Sequence, residues 1–209
     1  MITTGFLATG FATLFVVIDP PGLVPMFIAL TRGMKAVERR ALALRAGVIA
    51  TILLALFAVA GNAVLGFIGI SMPAFRIAGG LLLFLTAIDM LFERRTERRE
   101  GQTAEAEADH DHDPSVFPLA TPLIAGPGAI ASIILLNAQT GAGWLGTLVV
   151  LAVMMALTLT TFLFFLIASP IERLMGRTGV LVITRLQGML LAALSVQFVI
   201  DGVRGAGLL

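Results

Sequence analysis

Long apolar stretches broken by short polar interruptions dominate the chain. No Asp, Glu, Lys or Arg occurs between Pro114 and Ile171, and Ala46 to Phe75 is a second charge-free run. A bilayer core takes about 20 apolar residues per helix, so the longer run holds two spans and the shorter holds one with its loop. Lipid offers backbone groups no partner, so each span must bond within itself, as a helix does. A membrane β-barrel would alternate apolar and polar residues; Leu81-Leu82-Leu83-Phe84-Leu85 does not. The pattern predicts six spans at about 4–31, 44–68, 72–92, 116–138, 144–169 and 180–204.

The interruptions divide the chain. Gly61-Asn62, Gly66 and Gly69-Ile70-Ser71 mark the turn between spans two and three, and Asn137 to Gly143 the turn between four and five. Residues 93–115 are the one extended hydrophilic stretch. They lack a hydrophobic period and read as a flexible linker between a first unit, 1–92, and a second, 116–209. Lys and Arg fall in alternate loops: Arg32, Lys35, Arg39, Arg40 and Arg45 in the first, Arg94, Arg95, Arg98 and Arg99 in the third, Arg173 and Arg177 in the fifth. Positive loops stay on the cytoplasmic side. Both termini are therefore expected outside, with Trp144 at the outer interface.

Composition agrees. Of 209 residues, 58% are hydrophobic and 13% charged, where a soluble domain carries roughly 25% charged residues. Mean hydropathy is +0.99. The first charged side chain is Asp19, so a positively charged leader is not expected. Cysteine is absent, which removes disulfides and thiolate metal sites. A net charge of +1 without a basic, aromatic-interleaved patch points away from nucleic acid.

An internal repeat refines the fold. At a shift of 106 residues, Pro20-Pro21-Gly22-Leu23-Val24 lies on Gly126-Pro127-Gly128-Ala129-Ile130; at 109, Arg76 and Gly79 lie on Arg185 and Gly188. Each half has three spans, an odd number, so the second enters from the opposite side. The expected fold is all-α: six transmembrane helices as two inverted three-helix repeats, with broken helices one and four.

Candidate chemistry gathers at those breaks. Proline removes an N–H and clashes with the preceding turn, and glycine permits unusual dihedrals. A broken helix presents free N–H groups that attract an anion and free carbonyls that hold a cation. The candidate substrate-binding residues are Asp19, Pro20, Pro21 and Gly22 at the first break, and Thr121, Ala125, Gly126, Pro127 and Gly128 at the second. The bland alternative is a pair of proline kinks satisfied by neighbouring helices. Asp19 is the carboxylate nearest mid-span. It either binds a substrate ammonium or carries a coupling proton, or it caps the half-helix that Pro20 begins; the readings are compatible. Arg76 and Arg185 lie near the starts of spans three and six, at opposite faces. They are either gates or cations snorkelling to the headgroups.

Thr121, Ser132, Thr158, Thr160, Thr161, Ser195 and Gln197 are polar groups within spans, most of them expected to bond helix to helix, with Thr121 and Ser132 flanking the second break. Gly79 and Gly188 suit close helix packing. Asp89, beside Arg94 and Arg95, reads as a boundary residue. Asp109-His110-Asp111-His112-Asp113 has ligand types for zinc or manganese, but charged low complexity in a linker is the preferred reading, and neither metal nor cofactor is expected. Both histidines are in the linker, so no Ser–His pair or zinc-protease motif can form inside the membrane, and the chain is not expected to be an enzyme.

Phe15-Val16-Val17-Ile18-Asp19-Pro20-Pro21-Gly22-Leu23-Val24-Pro25-Met26-Phe27 resembles the first-span signature of the MarC family, and Pro122-Leu123-Ile124-Ala125-Gly126-Pro127-Gly128-Ala129-Ile130 its fourth-span signature. The resemblance covers essentially the whole chain; the acidic, His-containing linker departs from it. It implies a multi-pass protein of a bacterial or archaeal cytoplasmic membrane, related to LysE-type exporters. Some members are described as transporters of small neutral amino acids such as glycine and alanine. The implied partners are such an amino acid, a coupling proton and the lipid bilayer. The alternatives are a metal or cation exporter and a non-transporting membrane scaffold.

Overall fold

The computed structural model describes residues 4–108, 113–141 and 143–208. Its elements are helices α1 (Thr4–Ile18), α2 (Pro20–Leu30), α3 (Ala36–Ile68), α4 (Met72–Leu91) and α5 (Arg94–Ala108), an irregular helical segment Ser115–Ile124, then α6 (Pro127–Gln139), α7 (Trp144–Leu166) and α8 (Ala168–Gly205). No strand occurs among the described residues. Among the described residues five spans are long and apolar enough to cross a bilayer, counting Thr4–Leu30 as one, and there are six when the pair Ser115–Ile124 and Pro127–Gln139, bent by 54°, is counted as one broken span.

Both interruptions fall where the Pro-Gly signals place them. Asp19 takes a left-handed conformation, φ 60° and ψ 63°, and Pro20 and Pro21 begin α2, where a missing N–H costs nothing. In the second half, Phe117 and Thr121 are extended, each preceding a cis proline. The chain then turns at Ala125 and Gly126 into α6.

Sequence and structure differ at four places, one being the fifth loop, which is helical because α8 begins at Ala168 rather than near 180, with a break at Gly176. The second span starts at Ala36, because Glu38 accepts the Lys35 N–H and caps a basic extension of α3 ahead of the apolar run. Asn137 lies within α6 rather than in a turn, its amide donating to the Ala58 carbonyl at 2.7 Å. The linker, expected to be flexible, is largely helix α5. Polar contacts order it, so hydrophobic periodicity carries no trace of it. Asp109 to His112 lie outside the described residues.

Lipid tails are as apolar as leucine, so close packing at small residues holds such helices together. On α3 the buried positions Ala43, Ala46, Ala50, Leu54, Ala58, Gly61 and Leu65 recur every three or four residues. A Cβ on Gly61 would lie 2.6 Å from Ile134 of α6. Helices α4 and α8 make the most extensive contact and run antiparallel. A Cβ on Gly80 would stand 2.8 Å from the Ser195 carbonyl, one on Gly188 3.0 Å from Met90 Cβ, and one on Gly202 3.0 Å from the Pro73 carbonyl. The long helices α3 and α7 are the next most extensive pair. Their outer faces expose large apolar side chains, Val48, Ile52, Met155 and Leu159 among them, as a lipid-facing surface should.

Candidate functional site

Asp19 sits at the end of α1 with no solvent exposure. Its Oδ1 accepts the Gly22 N–H at 3.1 Å, the N-cap of α2. Its Oδ2 accepts from Arg99 Nη1 at 3.0 Å, and the Thr184 hydroxyl lies 3.3 Å from Oδ1. Arg99 also donates to the Ile18 carbonyl at 3.0 Å, and Arg95 donates to the Val17 carbonyl at 2.5 Å. The carbonyls freed where α1 stops are thus taken by two guanidinium groups from α5. Pro20, Pro21 and Gly22 are buried. A Cβ on Gly22 would collide with the Asp19 carboxylate, so glycine there keeps the cap in place.

The second break faces a cavity of about 240 Å³, lined by Gly126, Pro127 and Gly128 at the start of α6 and by Asp89, Arg95, Arg98 and Arg99. The start of α6 and three arginines therefore share one space. A Cβ on Gly128 would lie 3.3 Å from Val17, in the last turn of α1 beside the first break, which lines the same cavity. The two breaks meet across this contact.

The charges around the cavity do not balance. Arg99 pairs with Asp19, and Arg98 pairs with Asp89 at 2.7 Å. Among the described residues Arg95 has the Val17 carbonyl and the Met90 sulfur but no carboxylate within ion-pair distance, though the charges of Asp19 and Asp89 also act on it. Burial, and then the like charge of Arg99, lower its guanidinium to about 9, so it stays a cation at neutral pH. One positive charge is left beside a helix N-terminus, an environment that favours a single anionic group.

The expected residues thus divide. Gly126, Pro127 and Gly128 line the cavity. Asp19 to Gly22 lie behind its wall, separated from it by Arg99. Ala125 is buried and ends the irregular segment, and Thr121 is exposed; neither lines the cavity. Arg185 is exposed and ion-paired with Glu93, while Arg76 is half-buried with its Nε unpartnered. Arg76 and Glu93 are separated by 17 residues of α4 and its end, roughly 25 Å at 1.5 Å per residue, so the two arginines do sit at opposite ends of the bundle. Gly79 and Gly188 are packing positions, against Leu135 and Met90.

Other polar groups are placed differently from expectation. Thr158 does bond across to Thr51. The hydroxyls of Thr160, Thr161 and Ser195 instead donate to carbonyls of their own helices. Gln197 bonds Asp201 one turn on, and Ser132 is buried on α6 with its hydroxyl unpartnered. Asp89 takes Arg98 rather than Arg94 or Arg95. Sequence reasoning missed Arg95, Arg98, Arg99 and Thr184. A signal was present for the arginines: Arg95 and Arg99 are four residues apart, one face of a helix.

The chain matches the model of the MarC family integral membrane proteins over residues 4–207. It is 40% identical to a UPF0056 membrane protein of Archaeoglobus fulgidus over 199 residues, 95% of this chain and 92% of the relative. It is 37% identical to the UPF0056 membrane protein MJ1677 of Methanocaldococcus jannaschii over 202 residues, 96% and 97% of the two chains. With YvbG, a UPF0056 membrane protein of Bacillus subtilis, it shares 36% identity over 203 residues, 96% and 95% of the two. No solved structure matches. A helical membrane bundle broken at these two Pro-Gly sites, matched from end to end in sequence, places the chain in the MarC family of integral membrane proteins.

Proposed function

We propose that this protein is a secondary transporter that moves a small neutral amino acid of the glycine or alanine class across the cytoplasmic membrane by alternating access. The observation that carries the reading is the cavity at the second break, where one uncompensated guanidinium, Arg95, and the start of α6 face the same small space. A substrate carboxylate would lie on the α6 N–H groups and Arg95. Its ammonium would face Asp89 at the rim. Gly126 and Gly128 leave room beside the backbone, and the modest cavity favours a small side chain.

The two halves would form inverted repeats that rock about the paired breaks. Support comes from helix pairing: α3 packs on α7 and α4 on α8, the second and third helices of one half on their counterparts in the other. Asp19 would be the coupling carboxylate. It shares Arg99 with the cavity wall, so a substrate carboxylate competing for Arg99 would free Asp19 to take a proton. Three guanidinium groups along the cavity argue against the alternative of a cation exporter.

The test is uptake of labelled glycine and alanine into proteoliposomes, with and without a pH gradient, for wild type, Asp19→Asn and Arg95→Gln. Saturable uptake lost in Arg95→Gln supports the site. Gradient dependence lost in Asp19→Asn supports coupling. Uptake unchanged in Arg95→Gln would overturn the site, and no uptake by folded wild-type protein would overturn the substrate class.

A further inference from the structure

Two surface features line up along one helix pair, away from the breaks. At the basic end, a cavity of about 160 Å³ lies among Phe27, Arg39, Arg40, Phe165, Leu166 and Ser169. Its wall is built. Phe27 stacks on Phe165 with ring centroids 4.4 Å apart, and the Arg39 guanidinium lies 5.6 Å over the Phe27 ring. Arg39 Nη1 reaches Ser169 Oγ at 3.4 Å. Among the described residues no carboxylate lines this cavity and none pairs with Arg39 or Arg40. The nearest acid on α3, Glu38, is taken by the Lys35 N–H.

The same two helices then form an apolar groove of about 470 Å³ between Leu44, Val48 and Ile52 of α3 and Met155, Leu159 and Phe162 of α7. Gly47 opens its floor: a Cβ there would meet nothing within 4 Å. Arg40, Leu44 and Val48 follow at four-residue spacing, so cavity and groove lie on one helix face. From Arg40 to Ile52 the helix rises roughly 18 Å at 1.5 Å per residue, about one leaflet of a hydrocarbon core roughly 30 Å thick.

We propose that this face is a binding site for an anionic phospholipid, its phosphate held by Arg39 and Arg40 and one acyl chain lying in the α3/α7 groove. Charge complementarity at one end, an apolar groove one leaflet long and a membrane environment together select this occupant. A free phosphate has no use for the groove. Basic pockets at the ends of membrane helices are suited to lipid headgroups, each cation near the surface contributing severalfold in affinity.

The test is native mass spectrometry of the full chain in detergent with phosphatidylglycerol and phosphatidylcholine of identical acyl chains. Wild type should retain phosphatidylglycerol roughly 30-fold better, since two such cations act together. Arg39→Gln with Arg40→Gln should abolish that preference, and Gly47→Phe should reduce retention of both lipids while keeping it. Arg40 is exposed, so Arg40→Gln alone serves if the double variant misfolds, and should weaken the preference. Equal retention of the two lipids by wild type would overturn the proposal. So would displacement of phosphatidylglycerol by millimolar inorganic phosphate, or cross-linking of Val48→Cys into dimers that exclude lipid. None of these readouts depends on transport.

Discussion

Arg99 of α5 meets Asp19 at the break of the first span, Nη1 to Oδ2 at 3.0 Å, across 80 residues of sequence and nearly out of reach of solvent. A hydrophilic helix between the two halves thereby completes the interior of the first. Losing one partner of a buried pair leaves a charge without compensation, which costs about 3–5 kcal/mol. Arg99→Met is therefore expected to lower the thermal midpoint in detergent sharply. Arg99→Met with Asp19→Asn should recover most of the loss. A double variant no more stable than Arg99→Met would show that the pairing is not what Arg99 contributes.

Gly22 should prove a structural residue rather than a substrate contact. Its missing Cβ leaves room for the Asp19 carboxylate that caps α2. Gly22→Ala should cost about 1–2 kcal/mol, the range for loss of an N-cap. Gly128→Ala meets only ordinary or slightly tight contacts and should cost less, while the larger Gly128→Leu should block uptake by filling the cavity. Denaturation and uptake on the same preparations separate the two effects.

The α4/α8 crossing makes a different demand. At Gly80 and Gly202 an added methyl would press on backbone atoms, which cannot move aside as a flexible side chain does. Gly80→Ala and Gly202→Ala are each expected to destabilise by about 1–3 kcal/mol, the usual cost of overpacking. Gly66→Ala, with open space around its Cβ, is the control. Equal midpoints for all three would remove close approach as the reason for these glycines.

One pH effect is expected outside the membrane. The Ser115 N–H donates to Asp113 at 2.9 Å and holds that carboxyl below its ordinary value. A depressed folded pKa contributes stability that is present above the unfolded value, about 3.9, and is lost as pH falls through the folded one. Hydrogen exchange at the Ser115 amide should therefore show excess protection that fades only below roughly pH 4. Asp113→Asn should remove that pH dependence.

Much of the fold was legible in the chain, for physical reasons that act locally. An apolar run long enough for a bilayer has to be a helix, and a Pro-Gly cluster in its middle has to interrupt it; Asp19–Gly22 and Gly126–Gly128 do so where expected. The linker was misread for an equally physical reason. Helix α5 is ordered by Arg95 and Arg99 donating to the Val17 and Ile18 carbonyls and to Asp19, contacts that leave no periodic apolar trace.

The sequence by itself thus determined the membrane helices and the sites of the two breaks, because the bilayer enforces backbone hydrogen bonding over every short stretch that crosses it. The tertiary structure alone decided which polar groups meet. It put Arg99 on Asp19, left Arg95 without an ion-paired carboxylate among the described residues beside α6, and placed Arg39 over Phe27 at the end of an apolar groove. Such pairings depend on distances between residues far apart in the chain, and packing sets those distances after the helices have formed.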